Sequence, residues 1–139
     1  MTEGTRSPED MLAEVDLFSG LSRRQVRTLL DRGRIVPHES GHQVSAEGLG
    51  SLAFHLILDG GATVSIAGTE VRTLGRGDYF GEISMIDGKP RSATVTATEP
   101  TRTLAIPHQD FERLVADEPD FARGLLVTLC ARLREAESR

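Results

Sequence analysis

Residues 80–94 read Phe-Gly-Glu-Ile-Ser-Met-Ile-Asp-Gly-Lys-Pro-Arg-Ser-Ala-Thr, which places a glycine, an acid and a short apolar turn ahead of an arginine and small residues. Gly81 allows backbone N–H groups to approach a ligand closely, because glycine has no Cβ. The apolar segment after it can form a single helical turn, whose free N–H groups bind anions. Arg91 can reach the same anion with a bidentate fork, and Ser92 and Ala93 can add neutral donors. The stretch therefore predicts a site for a compact anionic sugar phosphate.

The same stretch resembles the phosphate-binding cassette of the cyclic nucleotide-binding domain family. That family includes the sensory domain of the bacterial catabolite activator protein, the regulatory subunit of protein kinase A and cyclic nucleotide-gated channels. The shared pattern is Phe-Gly-Glu, a short apolar helix, and then Pro-Arg with small residues, and here it occupies 80–82 and 90–93. The turn at 76–79, Arg-Gly-Asp-Tyr, is similar to a further turn of the family. We call residues 80–94 the cassette.

The resemblance implies a role for each polar group of the cassette. Arg91 would pair with the cyclic phosphate, although it also fits a surface arginine after a proline turn. Glu82 would accept a hydrogen bond from the ribose 2′-hydroxyl, although it also fits a solvated acid in a helix. Backbone or hydroxyl groups that help to hold the phosphate would come from Gly81, Ile83, Ser84, Ser92 and Ala93.

The resemblance also implies a wall and a lid for the purine. Val64, Val71 and Leu74 align with the family's apolar wall, and each could equally be plain core. In the family the last helix closes over the base, and here Thr128 and Arg132 lie one turn apart on that helix. Arg132 fits a solvated helix arginine equally well. The implied ligand is cAMP, with cGMP left open.

The residue patterns at the two ends of the chain predict helices. Ser7 followed by Pro8 is typical of a helix start, and this helix is expected to run to about Leu17. Ser22 opens a second helix in a capping box with a glutamine three residues on. The tail is predicted to contain a short helix that ends near 117 and a longer one over 119–137. This order places helices on both sides of the central region.

The residue pattern from about 35 to 107 predicts many short strands. Leu56 and Leu58 point one way along a strand, Ile57 points the other way, and Asp-Gly-Gly at 59–61 turns the chain. Regularly spaced strands favour a sandwich or barrel. The predicted fold is mainly β with flanking helices: an antiparallel β-roll (double-stranded β-helix or jelly roll) with N-terminal helices and C-terminal lid helices. A single domain is expected over 1–139, with 1–6 disordered.

Composition limits the functional classes. The chain has 139 residues, 38% of them hydrophobic, which suits one domain. A net charge of −5 argues against a nucleic-acid surface, so no direct DNA binding is expected. The single cysteine, Cys130, fits a reducing cytosol. No apolar run is long enough to span a membrane, so a cytoplasmic protein without membrane contact is expected.

Two interpretations rival that of a protein that binds a cyclic nucleotide. A β-roll is shared with cupin metalloenzymes, and His38, His42 and Glu47 suggest ligands, but their spacing does not match, so no metal is expected. No catalytic set is visible, so the chain is not expected to be an enzyme. The other rival is an interaction or dimerisation module of the same fold that binds no ligand.

The preferred interpretation is a regulatory sensor that moves its C-terminal helix when a cyclic nucleotide binds. Nothing after 137 supplies a DNA-binding module, so the output is expected to come from an unknown protein effector, from an oligomer or from removal of nucleotide from solution. A homodimer through the C-terminal helix is one such route, because its apolar stripe has the spacing of paired helices, although the stripe fits packing within the chain equally well. The stripe consists of Leu126, Leu129, Leu133 and Ala136.

Overall fold

Two four-stranded sheets form the centre of the protein in a computed structural model, which describes residues 6–45, 52–89 and 93–138. The strands are β1 (Arg34–His38), β2 (Gln43–Ser45), β3 (Ala53–Asp59), β4 (Gly61–Ile66), β5 (Thr69–Gly75), β6 (Tyr79–Phe80), β7 (Thr94–Ala97) and β8 (Thr101–Pro107). One sheet has the order β1-β8-β3-β6 and the other the order β2-β7-β4-β5. The pairings among the described strands are antiparallel. The predicted mainly β class and antiparallel roll are therefore confirmed.

Helices precede, interrupt and follow the strands. They are α1 (Pro8–Ala13), a 3-10 turn (Asp16–Phe18), α2 (Arg23–Leu30), α3 (Glu82–Asp87), α4 (His108–Asp117) and α5 (Pro119–Glu137). We call α3 the cassette helix, and α4 and α5 the lid helices. The Ser22 side chain accepts from the Gln25 backbone and the Gln25 side chain accepts from the Ser22 backbone, so the capping box is present.

The first helix is shorter than predicted. It ends at Ala13 rather than near Leu17, because Val15 has an extended backbone and starts a separate 3-10 turn. That break directs Leu17 and Phe18 into the core, where each is 1% exposed. Of the residues expected to be disordered, only Arg6 falls within the described part, and it forms an ion pair with Glu14.

Strand β3 separates two cores. Phe54, Leu56 and Leu58 face the helices and pack with the side chains of α1, α2, α4 and α5. Ile57 faces the interior of the roll, as strand alternation predicts. The cluster around it consists of Ala62, Val64, Leu74, Phe80 and Val95. Phe80 and Ala93 of the cassette pack in this second cluster, whereas Met85 packs in the first.

Candidate functional site

The cassette helix forms the single turn that the sequence predicts. Gly81 precedes it with a φ of 84°, a left-handed conformation that suits glycine. The Met85 N–H donates to the Gly81 carbonyl at 2.9 Å, and the Gly88 N–H donates to the Ser84 carbonyl at 2.9 Å. The buried side chains of Ser84 and Met85 anchor the helix on the roll. Its first turn is thereby fixed at the edge of the roll.

An open pocket of about 220 Å³ lies between the cassette helix and strands β4, β5 and β7. It is lined by Val64, Arg72, Phe80, Gly81, Glu82, Ile83, Ser84, Ala93 and Val95. The pocket thus brings together most of the predicted site residues that lie in the described part of the structure. The Ile83 side chain is 69% exposed, so only its backbone amide suits the role implied for it.

The wall of the pocket differs from the expected one. Val71 is 52% exposed and lies on the outer face of β5. The register explains this placement, since Val64 pairs with Arg72 and Ala62 with Leu74, and directly paired residues share a sheet face. Leu74 is buried in the core beside Val64 and does not line the pocket. The inner face of β5 therefore presents Arg72 to the pocket and not the predicted Val71.

Sequence reasoning missed Arg72, Phe80 and Val95 as lining residues. A signal for Arg72 was available, because counting back two positions from the inward Leu74 reaches it. The Phe80 ring stacks on the His55 ring with centroids 5.0 Å apart. Arg72 and Glu82 give the described pocket one positive and one negative side chain.

Arg91 and Ser92, with Pro90, lie outside the described residues. The chain is described again at Ala93, which lines the pocket. Before the gap, the Lys89 N–H donates to Asp87 Oδ1 at 2.9 Å. The roles of Arg91 and Ser92 therefore stay predictions from the motif.

The nominated lid residues are engaged away from the pocket. Thr128 is 7% exposed, and its hydroxyl donates to the Gly124 carbonyl at 3.2 Å. Arg132 Nε lies 2.8 Å from Asp16 Oδ2, in the 3-10 turn. Burial lowers the pKa of Arg132, but hydrogen bonds to Asp16 and Tyr79 outweigh burial and raise it overall. The structure thus packs this part of α5 on the 3-10 turn, and neither residue lines the pocket.

Three histidines lie close together near strands β1 and β3. His38 Nε2 and His55 Nδ1 each lie 3.1 Å from Thr103 Oγ1. The His38 and His42 rings stack with centroids 5.3 Å apart. Burial lowers the pKa of His38, and the neighbouring His42 lowers it further. Glu47 lies outside the described residues, and those described contain no cluster of three or more His, Cys, Asp or Glu placed to hold a metal ion.

A larger groove of about 780 Å³ runs between the lid helices and Ile86 of the cassette helix, and most of its lining is apolar. Within 6–45, 52–89 and 93–138, no helix combines the length and apolar character needed to cross a membrane.

Comparison with known proteins shows that the chain matches one family model and several proteins over most of its length. The model of the cyclic nucleotide-binding domain matches residues 35–118. The regulatory subunit of cAMP-dependent protein kinase from Eremothecium gossypii is 37% identical over 108 residues, which cover 77% of this chain and 24% of that protein. The cGMP-dependent protein kinase from Eimeria tenella is 34% identical over 106 residues, which cover 76% of this chain and 11% of the kinase.

A solved structure shares nearly the whole fold. The N-terminal domain of a transcriptional regulator from Streptomyces coelicolor A3(2) is similar with a TM-score of 0.83 and 25% identity, over 93% of this chain and 94% of that one. This chain spans less than a third of the length of the curated relatives that it matches.

Proposed function

Because the chain belongs to the cyclic nucleotide-binding domain family, we propose that it binds a cyclic nucleotide, cAMP first, and acts as a regulatory sensor. The family is a regulatory ligand-binding domain rather than a catalytic one. The observation that carries the proposal is the pocket itself, in which Glu82, Ser84 and Ala93 of the cassette face Val64 of the roll.

The groups at the pocket suit the parts of a cyclic nucleotide. Glu82 accepts from the ribose 2′-hydroxyl, and backbone N–H groups at the start of the cassette helix meet the phosphate. Arg91 supplies a fork of donors that forms charge-assisted hydrogen bonds to the phosphate oxygens. Val64 and Val95 offer an apolar surface to the purine. Glu82 therefore faces the sugar, while the positive charge of Arg91 offsets the negative charge of the phosphate.

Calorimetric titration with cAMP and cGMP in parallel tests this function. The protein is first unfolded and refolded to remove any nucleotide that co-purifies, and its fold is checked by circular dichroism. Micromolar or tighter binding of either nucleotide is expected. A folded, nucleotide-free sample that binds neither would contradict the proposal and favour the interaction module.

Replacing Glu82 by glutamine should weaken cAMP binding by about 10-fold or more, since hydrogen bonds to charged groups contribute about 1.5–3 kcal/mol. The same substitution should change the affinity for 2′-deoxy-cAMP little, because that ligand has no 2′-hydroxyl to donate. Titration of the wild type and the Glu82→Gln variant with cAMP and 2′-deoxy-cAMP measures how far the loss of affinity depends on the 2′-hydroxyl. Equal losses for the two ligands would show that Glu82 does not read the ribose.

Arg72 favours a second candidate ligand, cGMP. Guanine presents two acceptors, O6 and N7, to one guanidinium, whereas adenine offers N7 beside an N6 donor. We expect Arg72→Ala to lower cGMP affinity by about 10-fold and cAMP affinity by much less. The outward-facing Val71→Ala serves as the matched control and should change neither affinity. A similar loss for both nucleotides in Arg72→Ala would contradict a purine-reading role.

The output of the sensor is proposed to come from the lid helices. If ligand binding requires α5 to close, the ligand shifts the equilibrium between the open and closed positions of α5. The size of the shift is set by the difference in ligand affinity between these two positions. Thr128 and Arg132 would reach the purine only after α5 leaves the 3-10 turn, which breaks the contact between Arg132 and Asp16. A distance measurement between labels on α5 and β4, with and without nucleotide, tests this motion; an unchanged distance would contradict it.

The partners of the chain belong to the same proposal. Leu126 and Leu133 are 61% and 62% exposed, which supports pairing of α5 with a second copy or with a protein effector. No direct DNA contact is proposed. Sedimentation equilibrium with and without nucleotide tests the dimer, and a monomer under both conditions would leave the effector as the route. The whole chain is proposed to be one domain.

A further inference from the structure

The first residue of the first lid helix is hydrogen-bonded to the cassette helix. His108 Nδ1 lies 2.6 Å from the Met85 carbonyl oxygen. A carbonyl can only accept, so this ring nitrogen carries the proton and donates. The His108 backbone N–H donates to the Leu52 carbonyl at 2.8 Å, which fixes the position of the ring relative to the roll.

The Met85 carbonyl needs this donor. The last carbonyls of a helix have no intrahelical partner unless the chain supplies one. For Met85 the normal donor four residues on is the Lys89 N–H, which bonds to Asp87 Oδ1 instead. The Gly88 N–H bonds to the Ser84 carbonyl. Met85 is fully buried, so water cannot readily replace the imidazole.

The ring of His108 fits closely against the end of the cassette helix. A Cβ added at Gly88 would lie 2.8 Å from His108 Nε2, so the absence of a side chain there leaves room for the ring. On the other side, Glu112 Oε1 lies 3.4 Å from Nε2. The His108 side chain is only 18% exposed, whereas that of Glu112 is 64% exposed. The hydrogen bond to Met85 therefore sets the orientation of the ring.

We infer that His108 is a positioning residue for the nucleotide pocket, an inference that rests on the function proposed above. The cassette helix offers Glu82 and Ser84 to the pocket at one end and is held by His108 at the other. Loss of this hydrogen bond leaves a buried carbonyl unpaired and lets the helix leave its ligand-competent position. The apparent affinity falls with the fraction of molecules that are competent to bind. The same bond joins the cassette to the lid helices.

A matched pair of substitutions separates this role from simple space filling. In His108→Asn the amide nitrogen takes the place of Nδ1 and can still donate to Met85. In His108→Gln the amide reaches the place of Nε2 instead. Titration with the tighter-binding cyclic nucleotide should show wild-type affinity, within about twofold, for the asparagine variant and a loss of about 5- to 10-fold for the glutamine variant. Glu112→Gln, which removes only the negative charge of the exposed partner, should bind like the wild type.

Equal affinities in all the variants, or equal losses in the asparagine and glutamine variants, would overturn the inference. Hydrogen exchange of the Met85 and Gly88 amides in the nucleotide-free protein provides a second readout. These amides should exchange faster in His108→Gln than in His108→Asn, with the same urea midpoint for both variants. If the wild type binds no cyclic nucleotide, the proposed function fails, and exchange alone then decides whether His108 holds the helix. Equal exchange rates in His108→Asn and His108→Gln would then show that His108 does not hold the cassette helix.

Discussion

Arg91→Ala is expected to weaken cyclic nucleotide binding by about 30-fold or more while the protein stays folded. The resemblance implies that this arginine pairs with the phosphate, and truncating one member of a buried hydrogen-bonded charge pair costs about 2–5 kcal/mol. Stability should change little, because the residue is proposed to bind ligand rather than to support the core. Calorimetric titration measures the loss, and urea unfolding checks the fold.

Two controls make the Arg91 result specific. Lys89→Ala removes a positive charge from the same segment, and Lys89 is exposed, so its loss should matter much less than that of Arg91. Arg91→Lys keeps the charge but not the planar fork and should give an intermediate affinity. If Lys89→Ala weakened binding as much as Arg91→Ala, general electrostatic attraction would explain the effect and the proposed pairing would be wrong.

Gly60→Ala is expected to destabilise the fold by about 3–5 kcal/mol, the sum of a strained backbone and an overpacked site. Gly60 has a φ of +96°, and an added Cβ would lie 2.4 Å from Thr101 Oγ1 and 2.6 Å from the Pro100 carbonyl oxygen. Thr101 cannot move easily, because it is 3% exposed and its hydroxyl accepts from the Gly61 N–H at 3.1 Å. The turn carries the chain from one sheet to the other, so the damage reaches both.

Gly68→Ala is the matched control for that substitution. Gly68 has a φ of +82°, but a Cβ there would have no neighbour within 4 Å. Its substitution should cost only the backbone term, about 1–2 kcal/mol. Urea unfolding of both variants measures the difference. Equal destabilisation would mean that the close approach to Thr101 does not contribute.

Local patterns were sufficient for much of the fold. Ser22 and Gln25 form the expected capping box because both groups lie within one turn and need no distant partner. Ile57 faces away from Leu56 and Leu58 because side chains alternate along any strand. The cassette helix forms between two left-handed glycines, Gly81 and Gly88. In each case the information lies within a few consecutive residues.

Other features depended on residues that are distant in sequence. The first helix stops early because burial of Leu17 and Phe18 against Phe54 outweighs local helical preference. His108 completes a helix that ends 21 positions before it, at Asp87. No local pattern reports such a contact, since it exists only after the strands have paired.

The sequence by itself determined the family, the roll and the group of cassette residues at the pocket, because an ordered motif and strand periodicity are local properties of the chain. Only the tertiary structure decided that Arg72 rather than Val71 faces the pocket, since the register of β4 with β5 selects the face. It also decided that Arg132 meets Asp16, because the packing of α5 on the 3-10 turn joins residues 116 positions apart.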